Sequence, residues 1–173
     1  MSPTASGFAR GLAVLASAGV EFVLVGVGGI NFYARNGAHA FATLDLDLLL
    51  APEPDNLRSA LEALLADGFS FETGGDPFLD RNDETILARI VALGGRVTAL
   101  HEEGAQLDLM LSVRGFPYAD LAVDARTFTV AGSQVRVGRL EKLLRSKELS
   151  DRPKDREFLR HFESRATEED PDP

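Results

Sequence analysis

The segment TLDLDLLLA at residues 43–51 constrains the fold of this chain more than any other stretch. Its first half alternates leucine with aspartate, so a strand here would present Asp45 and Asp47 on the same face. Residues 48–50 are all leucine, which is typical of a strand buried on both faces in the middle of a sheet. Two carboxylates on such a strand repel each other unless a cation lies between them, so we interpret the pair as a candidate metal site rather than as an ordinary polar face.

The remaining hydrophobic patterns place this strand, at 44–51, in a mixed sheet. Apolar or alternating runs predict further strands at 21–27, 69–72, 85–93, 96–100 and 106–113, and a hairpin at 128–138. Helical spacing and capping residues predict helices at 5–18, 30–37, 55–67, 139–149 and 153–165. Because these elements do not form a long βαβ series, we expect an α/β protein of the α+β kind, with a mixed, mostly antiparallel sheet flanked by helices.

Composition narrows the chemistry that the chain can perform. There is no cysteine, which excludes disulfides, cysteine-ligated metals and a cysteine nucleophile, and the three histidines do not form a ligand pattern. A metal would therefore be held by carboxylates or amides, which favours a hard cation such as Mg²⁺. No apolar run approaches the roughly 20 residues that a membrane span needs, and the N-terminus does not resemble a signal peptide, so we expect a cytoplasmic protein without a membrane partner.

Charge is distributed unevenly along the sequence. The net charge of -9 argues against non-specific binding of nucleic acid. Residues 134–165 nevertheless carry 10 basic and 6 acidic groups, and they include every lysine of the chain. This block is either a solvated helix face or an anion-binding surface, and composition does not distinguish the two. We expect three parts: a core at 1–138, C-terminal helices at 139–165 packed on that core, and a disordered acidic tail at 166–173.

Two further features accompany the aspartate pair. Asp108 is the only charged residue in the apolar stretch QLDLMLSV, and a buried carboxylate there needs a hydrogen-bond, ionic or metal partner. Beside Asp45 and Asp47 it would complete a cluster of three carboxylates that could hold two divalent ions. Gly28 and Gly29 form a predicted turn from strand to helix, where glycine allows a phosphate to approach the backbone closely, although a tight turn alone would also use them.

The motifs GVGGIN, TLDLDLLL and LDLM, in this order, resemble those of the nucleotidyltransferase superfamily of the polymerase-beta type. The later stretch VGRLEKLLRSKELSDRPKDREFL resembles the Lys…Arg-x-Lys-Asp signature of its AbiEii-like branch, which includes toxins of bacterial toxin–antitoxin and abortive-infection systems. The resemblance covers residues 20–162. It implies a nucleotidyltransferase fold with a C-terminal helix pair, and Mg²⁺- or Mn²⁺-dependent transfer of a nucleoside monophosphate from an NTP to an acceptor hydroxyl.

The resemblance also implies roles for individual residues. The metal ligands and catalytic residues would be Asp45, Asp47 and Asp108, the last either as a third ligand or in deprotonating the acceptor. Contacts to the nucleotide would come from Gly28, Gly29, Lys147 and Lys154, with Asp155 in the same late motif. The partners would be an NTP, an acceptor that is an RNA, a protein or a small molecule, and, for a toxin, a cognate antitoxin.

Two positions depart from the pattern of this family. Phe41 stands where the family usually has an arginine, two residues before the threonine of its T-x-D-x-D motif. Phe158 stands where the late motif often has a second aspartate. These departures favour an alternative, in which the chain is a catalytically silent binding or regulatory module with the same fold.

A dinucleotide-binding site is a further alternative for GVGGIN. Gly26 and Gly28 match the first two glycines of that fingerprint, but Asn31 occupies the position of the third. The acidic residue that binds ribose should also follow its strand, whereas Asp45 and Asp47 begin theirs. The sequence therefore favours the nucleotidyltransferase interpretation.

Overall fold

A computed structural model of the chain describes residues 3–35 and 37–169. The helices in these ranges are α1 (Pro3–Ser17), α2 (Gly26–Asn31), α3 (Pro54–Ala66), α4 (Glu84–Ala92), α5 (Tyr118–Ala122), α6 (Leu140–Ser150) and α7 (Pro153–Glu169), with a 3-10 turn at Gly37–His39. The strands are β1 (Phe22–Val25), β2 (Asp45–Leu50), β3 (Ser70–Thr73), β4 (Asp76–Pro77), β5 (Arg96–Leu100), β6 (Gln106–Met110), β7 (Arg126–Val130) and β8 (Ser133–Val137).

The described strands form one eight-stranded sheet in the order β4-β3-β5-β6-β2-β1-β8-β7. Neighbouring strands in this part of the chain are antiparallel except for the parallel pairs β2–β6 and β1–β8. The prediction of an α/β protein with a mixed, mostly antiparallel sheet is therefore confirmed. The parallel pair β2–β6 matters most for function, because it sets Asp47 beside Asp108.

The centre of the sheet is buried on both faces, as the leucine run of β2 predicts. Leu48, Leu49 and Leu50 are all at most 1% exposed, and every residue of β1 is buried. On one face, α1 packs so closely that a side chain at Gly11 would overlap Leu107 of β6. On the other face, α5 and α6 border the strand ends that carry the carboxylates. Helices therefore cover both faces and leave a cleft on the carboxylate side.

One predicted strand is wrong. The apolar run 85–93, which is rich in β-branched residues, predicts a strand, yet residues 85–92 lie in helix α4 and Leu93 is its C-cap. Asp83 caps this helix, since its Oδ1 accepts hydrogen bonds from the backbone N–H groups of Thr85 and Ile86 at 2.9 and 3.1 Å. The apolar side chains fall at helical spacing, with Leu87 buried and Ile90 packed against the core.

Two other helix predictions need correction. The helix predicted at 30–37 instead begins at Gly26, directly after β1, and ends at Asn31. Helix α3 begins one residue before Asp55, and no side chain caps it. Asn56 in the first turn of α3 binds the backbone of Glu21, which joins the start of α3 to β1.

The two C-terminal helices lie close to their predicted bounds. α6 ends at Ser150, its C-cap Asp151 adopts a left-handed conformation with φ 49°, and Pro153 begins α7. α7 packs on α6, and Phe158 and Phe162 on α7 contact the core. α7 extends to Glu169, so part of the predicted tail at 166–173 is helical, and the last four residues lie outside the described ranges.

Candidate active site

Asp45 and Asp47 lie on the same face of β2, and Asp108 lies on the adjacent strand β6. In the parallel register of these strands, Asp47 is directly opposite Asp108, and Asp45 is opposite Gln106. Residues opposite each other in adjacent strands point to the same face, about 4.8 Å apart. The three aspartates predicted from the sequence therefore occupy neighbouring positions on one face of the sheet.

Asp108 is held firmly by its neighbours. Its side chain is only 4% exposed, and its Oδ1 accepts hydrogen bonds from Thr98 Oγ1 at 2.8 Å and from Gln106 Nε2 at 3.3 Å. Arg96 Nη1 donates to Oδ2 at 3.3 Å. These donors offset the cost of burying the carboxylate and hold it in one orientation.

The surroundings of Asp47 disfavour its charged form. Burial, followed by the negative charges of Asp45 and Asp108, raises the pKa of Asp47 from 3.8 to about 6, and the positive charges of Lys147 and Lys154 only partly counter this. The folded protein thus carries a carboxylate whose ionised form is disfavoured. A bound cation would relieve that repulsion, so the carboxylate donors and their electrostatics suit a hard divalent ion.

The carboxylates do not already converge on one point. Within the described ranges, no three carboxylate or histidine side chains are grouped closely enough to hold a metal ion. One reason is that Asp108 is engaged by Thr98 on β5. Asp45 is also engaged, because Thr43 Oγ1 donates to its Oδ1 at 3.1 Å. A metal held by all three would require at least one of these side chains to rotate.

Gly26 is the glycine that lies against the carboxylates. Its φ is +62°, and a Cβ at this position would lie 2.0 Å from Asp47 Oδ2, so both backbone conformation and space exclude other residues. The predicted nucleotide-binding residues Gly28 and Gly29 are buried in α2, where a Cβ would lie 2.5 Å from Leu46 Cδ2 or 3.0 Å from the carbonyl oxygen of Leu24. They allow α2 to pack tightly, whereas Gly26 faces the site.

A cleft of about 490 Å³ opens beside Asp47. Its apolar wall includes Val25, Leu121 and Leu143. Apart from Asp47, the charged residues that line it are all basic: Lys147 on α6, Arg152 after α6, and Arg114 in the loop after β6. A cleft with one carboxylate at its end and three cations along its walls suits an anion that also carries an apolar or aromatic part.

Asp155 binds two of the three cations that line the cleft. We call these cations, Lys147, Arg152 and Arg114, the basic wall. Asp155 is 1% exposed and accepts hydrogen bonds from Arg152 Nε at 2.6 Å and from Lys147 Nζ at 3.1 Å. Burial opposes ionisation of Asp155, but the hydrogen bonds from Arg152 and Lys147 outweigh it and lower the pKa of the carboxyl group. Asp155 thus supports the cations of the cleft, while exposed Lys154 lies close enough for its charge to act on Asp47.

The two positions that depart from the family pattern meet in space. The rings of Phe41 and Phe158 are 4.6 Å apart, and Phe162 stacks on both at 6.2 Å. Lys147 Nζ lies 4.9 Å from the centre of the Phe158 ring, so this aromatic cluster also contacts the basic wall. The side chain of Asn31 fixes the Phe41 end, because it both donates to and accepts from the Phe41 backbone at 2.8 Å.

Sequence reasoning missed Gly26 as a site residue, the contact between the two phenylalanines, and Arg114. Gly26 stands two residues before the predicted glycine pair, and its place near the end of the apolar run 21–27 was a usable signal. Arg114 had no such signal, because its position depends on how the loop after β6 packs against α6.

No protein-family model and no curated protein sequence matches the chain. Across the described ranges, no helix combines the length and apolar character needed to cross a membrane.

Proposed function

We propose that the chain is a divalent-metal-dependent nucleotidyltransferase, with a nucleotidyltransferase fold, that moves a nucleoside monophosphate from an NTP to an acceptor hydroxyl and releases pyrophosphate. The observation that carries the proposal is the position of Asp47. It lies between Asp45 on the same strand and Asp108 on the next, at the end of a cleft whose other charged residues are basic. Carboxylates beside cations are the arrangement that a metal-bound triphosphate requires.

In this proposal Asp45 and Asp47 hold the metal, and Asp108 is a third ligand or assists deprotonation of the acceptor. Mg²⁺ or Mn²⁺, when bound, would neutralise the phosphates and lower the pKa of the attacking hydroxyl. Thr43 orients Asp45, and Thr98 orients Asp108. Gly26 leaves the space beside Asp47 clear of any side chain. The chain's own contribution is therefore three carboxylates on one sheet face, of which at least one would rotate to share a metal ion with the others.

The basic wall would bind the triphosphate and the leaving pyrophosphate. Lys147 projects into the cleft while Asp155 and the Phe158 ring fix its ammonium group. A lysine in a fixed position loses little freedom when it binds phosphate, and it stabilises charge that grows on the leaving group. Lys154 would add a second, solvent-exposed cation at longer range. Asp155 acts here through Lys147 and is a positioning residue.

A silent binding module is the second candidate, and one observation favours it. Both carboxylate oxygens of Asp108 already accept hydrogen bonds, from Thr98 and from Arg96. A structural role of this kind would leave only Asp45 and Asp47 for metal. Such a protein would bind nucleotide in the cleft without turning it over.

Release of pyrophosphate distinguishes the two candidates. The protein would be incubated with each of the four NTPs, Mg²⁺ or Mn²⁺, and total RNA or total protein as acceptor. The enzyme hypothesis predicts release that depends on metal and acceptor and is lost in the Asp45→Asn/Asp47→Asn variant. Nucleotide binding without release would favour the silent module.

The biological setting that we propose follows from the same resemblance. It is a cytoplasmic toxin that acts on an RNA, a protein or a small molecule and is held in check by a cognate antitoxin. Expression of the wild type should then slow bacterial growth, and expression of the Asp45→Asn/Asp47→Asn variant should not. Equal growth with both proteins would argue against a toxin without bearing on the transfer reaction itself.

A further inference from the structure

We propose that Arg114 forms a second phosphate-binding position in the cleft that Lys147 also lines, and that it binds the polyphosphate of the nucleotide. The inference rests on the proposed function for the identity of the ligand. It names a residue that lies outside both the aspartate motifs and the basic C-terminal block.

The first support is the absence of a protein partner for Arg114. Within residues 3–35 and 37–169, its guanidinium group has no hydrogen-bond, ion-pair or ring contact. The other two cations of the cleft, Lys147 and Arg152, share Asp155. Arg114 therefore adds a positive charge to a region that is already basic, and no carboxylate offsets it. An anionic ligand would supply the missing negative charge.

The second support is that the backbone of Arg114 is fixed although its side chain is exposed. Its carbonyl oxygen accepts a hydrogen bond from Ser146 Oγ on α6 at 2.7 Å. The next residue, Gly115, has φ +90°, and a Cβ there would lie 2.3 Å from Leu149 Cδ1. Val113 and Phe116 form an isolated bridge that closes the turn. The loop is thus fastened to the helix that carries Lys147.

This attachment fixes the backbone position of Arg114 relative to α6, which carries Lys147. Ser146 and Lys147 are consecutive in α6, so the loop is attached one residue away from the lysine that faces Asp47. Both residues line the same cleft, which also contains Asp47. A guanidinium group binds phosphate oxygens through paired N–H donors, whereas an ammonium group acts as a point charge. Arg114 would thus orient the polyphosphate that Lys147 attracts.

Titration calorimetry tests this inference with probes that cannot be turned over. The probes are inorganic tripolyphosphate, α,β-methylene-ATP and adenosine, each with Mg²⁺, and the proteins are wild type, Arg114→Ala, Arg114→Lys and Arg89→Ala. Arg89 is an exposed arginine of α4 without a side-chain partner in the described ranges, so its variant is the matched control. All four proteins should melt at similar temperatures, because exposed arginines contribute little to stability.

We expect Arg114→Ala to weaken binding of tripolyphosphate and of α,β-methylene-ATP roughly tenfold, Arg114→Lys to weaken it less, and Arg89→Ala to leave it unchanged. Equal affinities for wild type and Arg114→Ala would overturn the inference, as would a loss confined to adenosine. If Arg114-dependent binding occurs without any transfer of nucleotide, the proposed function fails while the phosphate position stands. If the wild type binds none of the probes, both fail.

Discussion

Asp47 on β2 lies directly opposite Asp108 on the parallel strand β6. The two carboxylates share a sheet face but have different surroundings. Asp108 is fixed by donors from Thr98, Gln106 and Arg96, whereas the pKa of Asp47 is raised to about 6 by burial and by the charges of Asp45 and Asp108. Asp108 is therefore held by three hydrogen-bond donors, whereas Asp47 bears the electrostatic repulsion of the site.

Replacement of Asp47 should stabilise the protein without metal. A raised pKa in the folded state means that the contribution of Asp47 to stability is lost as pH rises from 3.8 through about 6. At pH 7 the substitution Asp47→Asn should thus raise the free energy of unfolding, by at most about 3 kcal/mol. Urea denaturation of both proteins from pH 4 to pH 7 would measure the difference, which should grow with pH. A variant less stable than the wild type at pH 7 would instead indicate a structural hydrogen bond.

Asp108→Ala should have the opposite effect on stability. It removes the acceptor for Thr98 and Gln106 and leaves Arg96 without its carboxylate. We expect a loss of about 2–3 kcal/mol at neutral pH, measured by the same denaturation. Thr98→Val is the matched control, and a double-mutant cycle should give a coupling near 1 kcal/mol. A stable Asp108→Ala protein would mean that repulsion from Asp47 dominates.

Asp155 should prove important for stability and for the position of Lys147. Asp155→Ala leaves two cations without their shared buried carboxylate, and we expect it to cost about 3 kcal/mol. Since the pKa of Asp155 is lowered in the folded state, this contribution is present at neutral pH and is lost as pH falls below the ordinary carboxyl range. Adding Lys147→Met should recover part of the loss. If Asp155→Ala is as stable as wild type at pH 7, the three charges are not coupled.

Phe41 and Phe158 should behave as a coupled pair. Their rings are 4.6 Å apart, so Phe41→Arg and Phe158→Asp should each destabilise the protein by placing a charge in an aromatic cluster. The double variant, which introduces the polar residues usual in the resembled family, should lose at least about 1 kcal/mol less than the sum of the single losses. Thermal melts of the four proteins give this coupling. Additive losses would show that the two positions are not energetically coupled.

The arrangement of the aspartates was accessible from the sequence, because alternation along a strand and burial by composition are local patterns. Leu44, Asp45, Leu46 and Asp47 alternate, and QLDLMLSV predicts a strand with one charged position. Whether Asp47 lies opposite Asp108 depends on strand order and register. No local pattern specifies these, so the contact required the structure.

The wrong strand prediction at 85–93 and the failure to predict Arg114 have specific physical causes. The run 85–93 is short, apolar and rich in β-branched residues, which makes helix and strand indistinguishable by composition. The feature that indicates a helix is Asp83, whose carboxylate caps α4. It lies outside the apolar run, so the pattern of the run itself does not include it. Arg114 could not have been selected, because its place in the cleft arises from the attachment of its loop to Ser146.

Transfer of label from NTPs carrying ³²P at either the α or the γ phosphorus tests the central claim most directly. With Mg²⁺ and total RNA or protein present, the account predicts that α-label becomes attached to an acceptor while γ-label leaves as pyrophosphate, and that Asp45→Asn/Asp47→Asn does neither. Attachment of γ-label would identify transfer of a phosphoryl or pyrophosphoryl group and would contradict the account. If the protein binds the NTPs in the cleft but transfers label from none of the four, that result would also contradict the proposed nucleotidyltransferase activity.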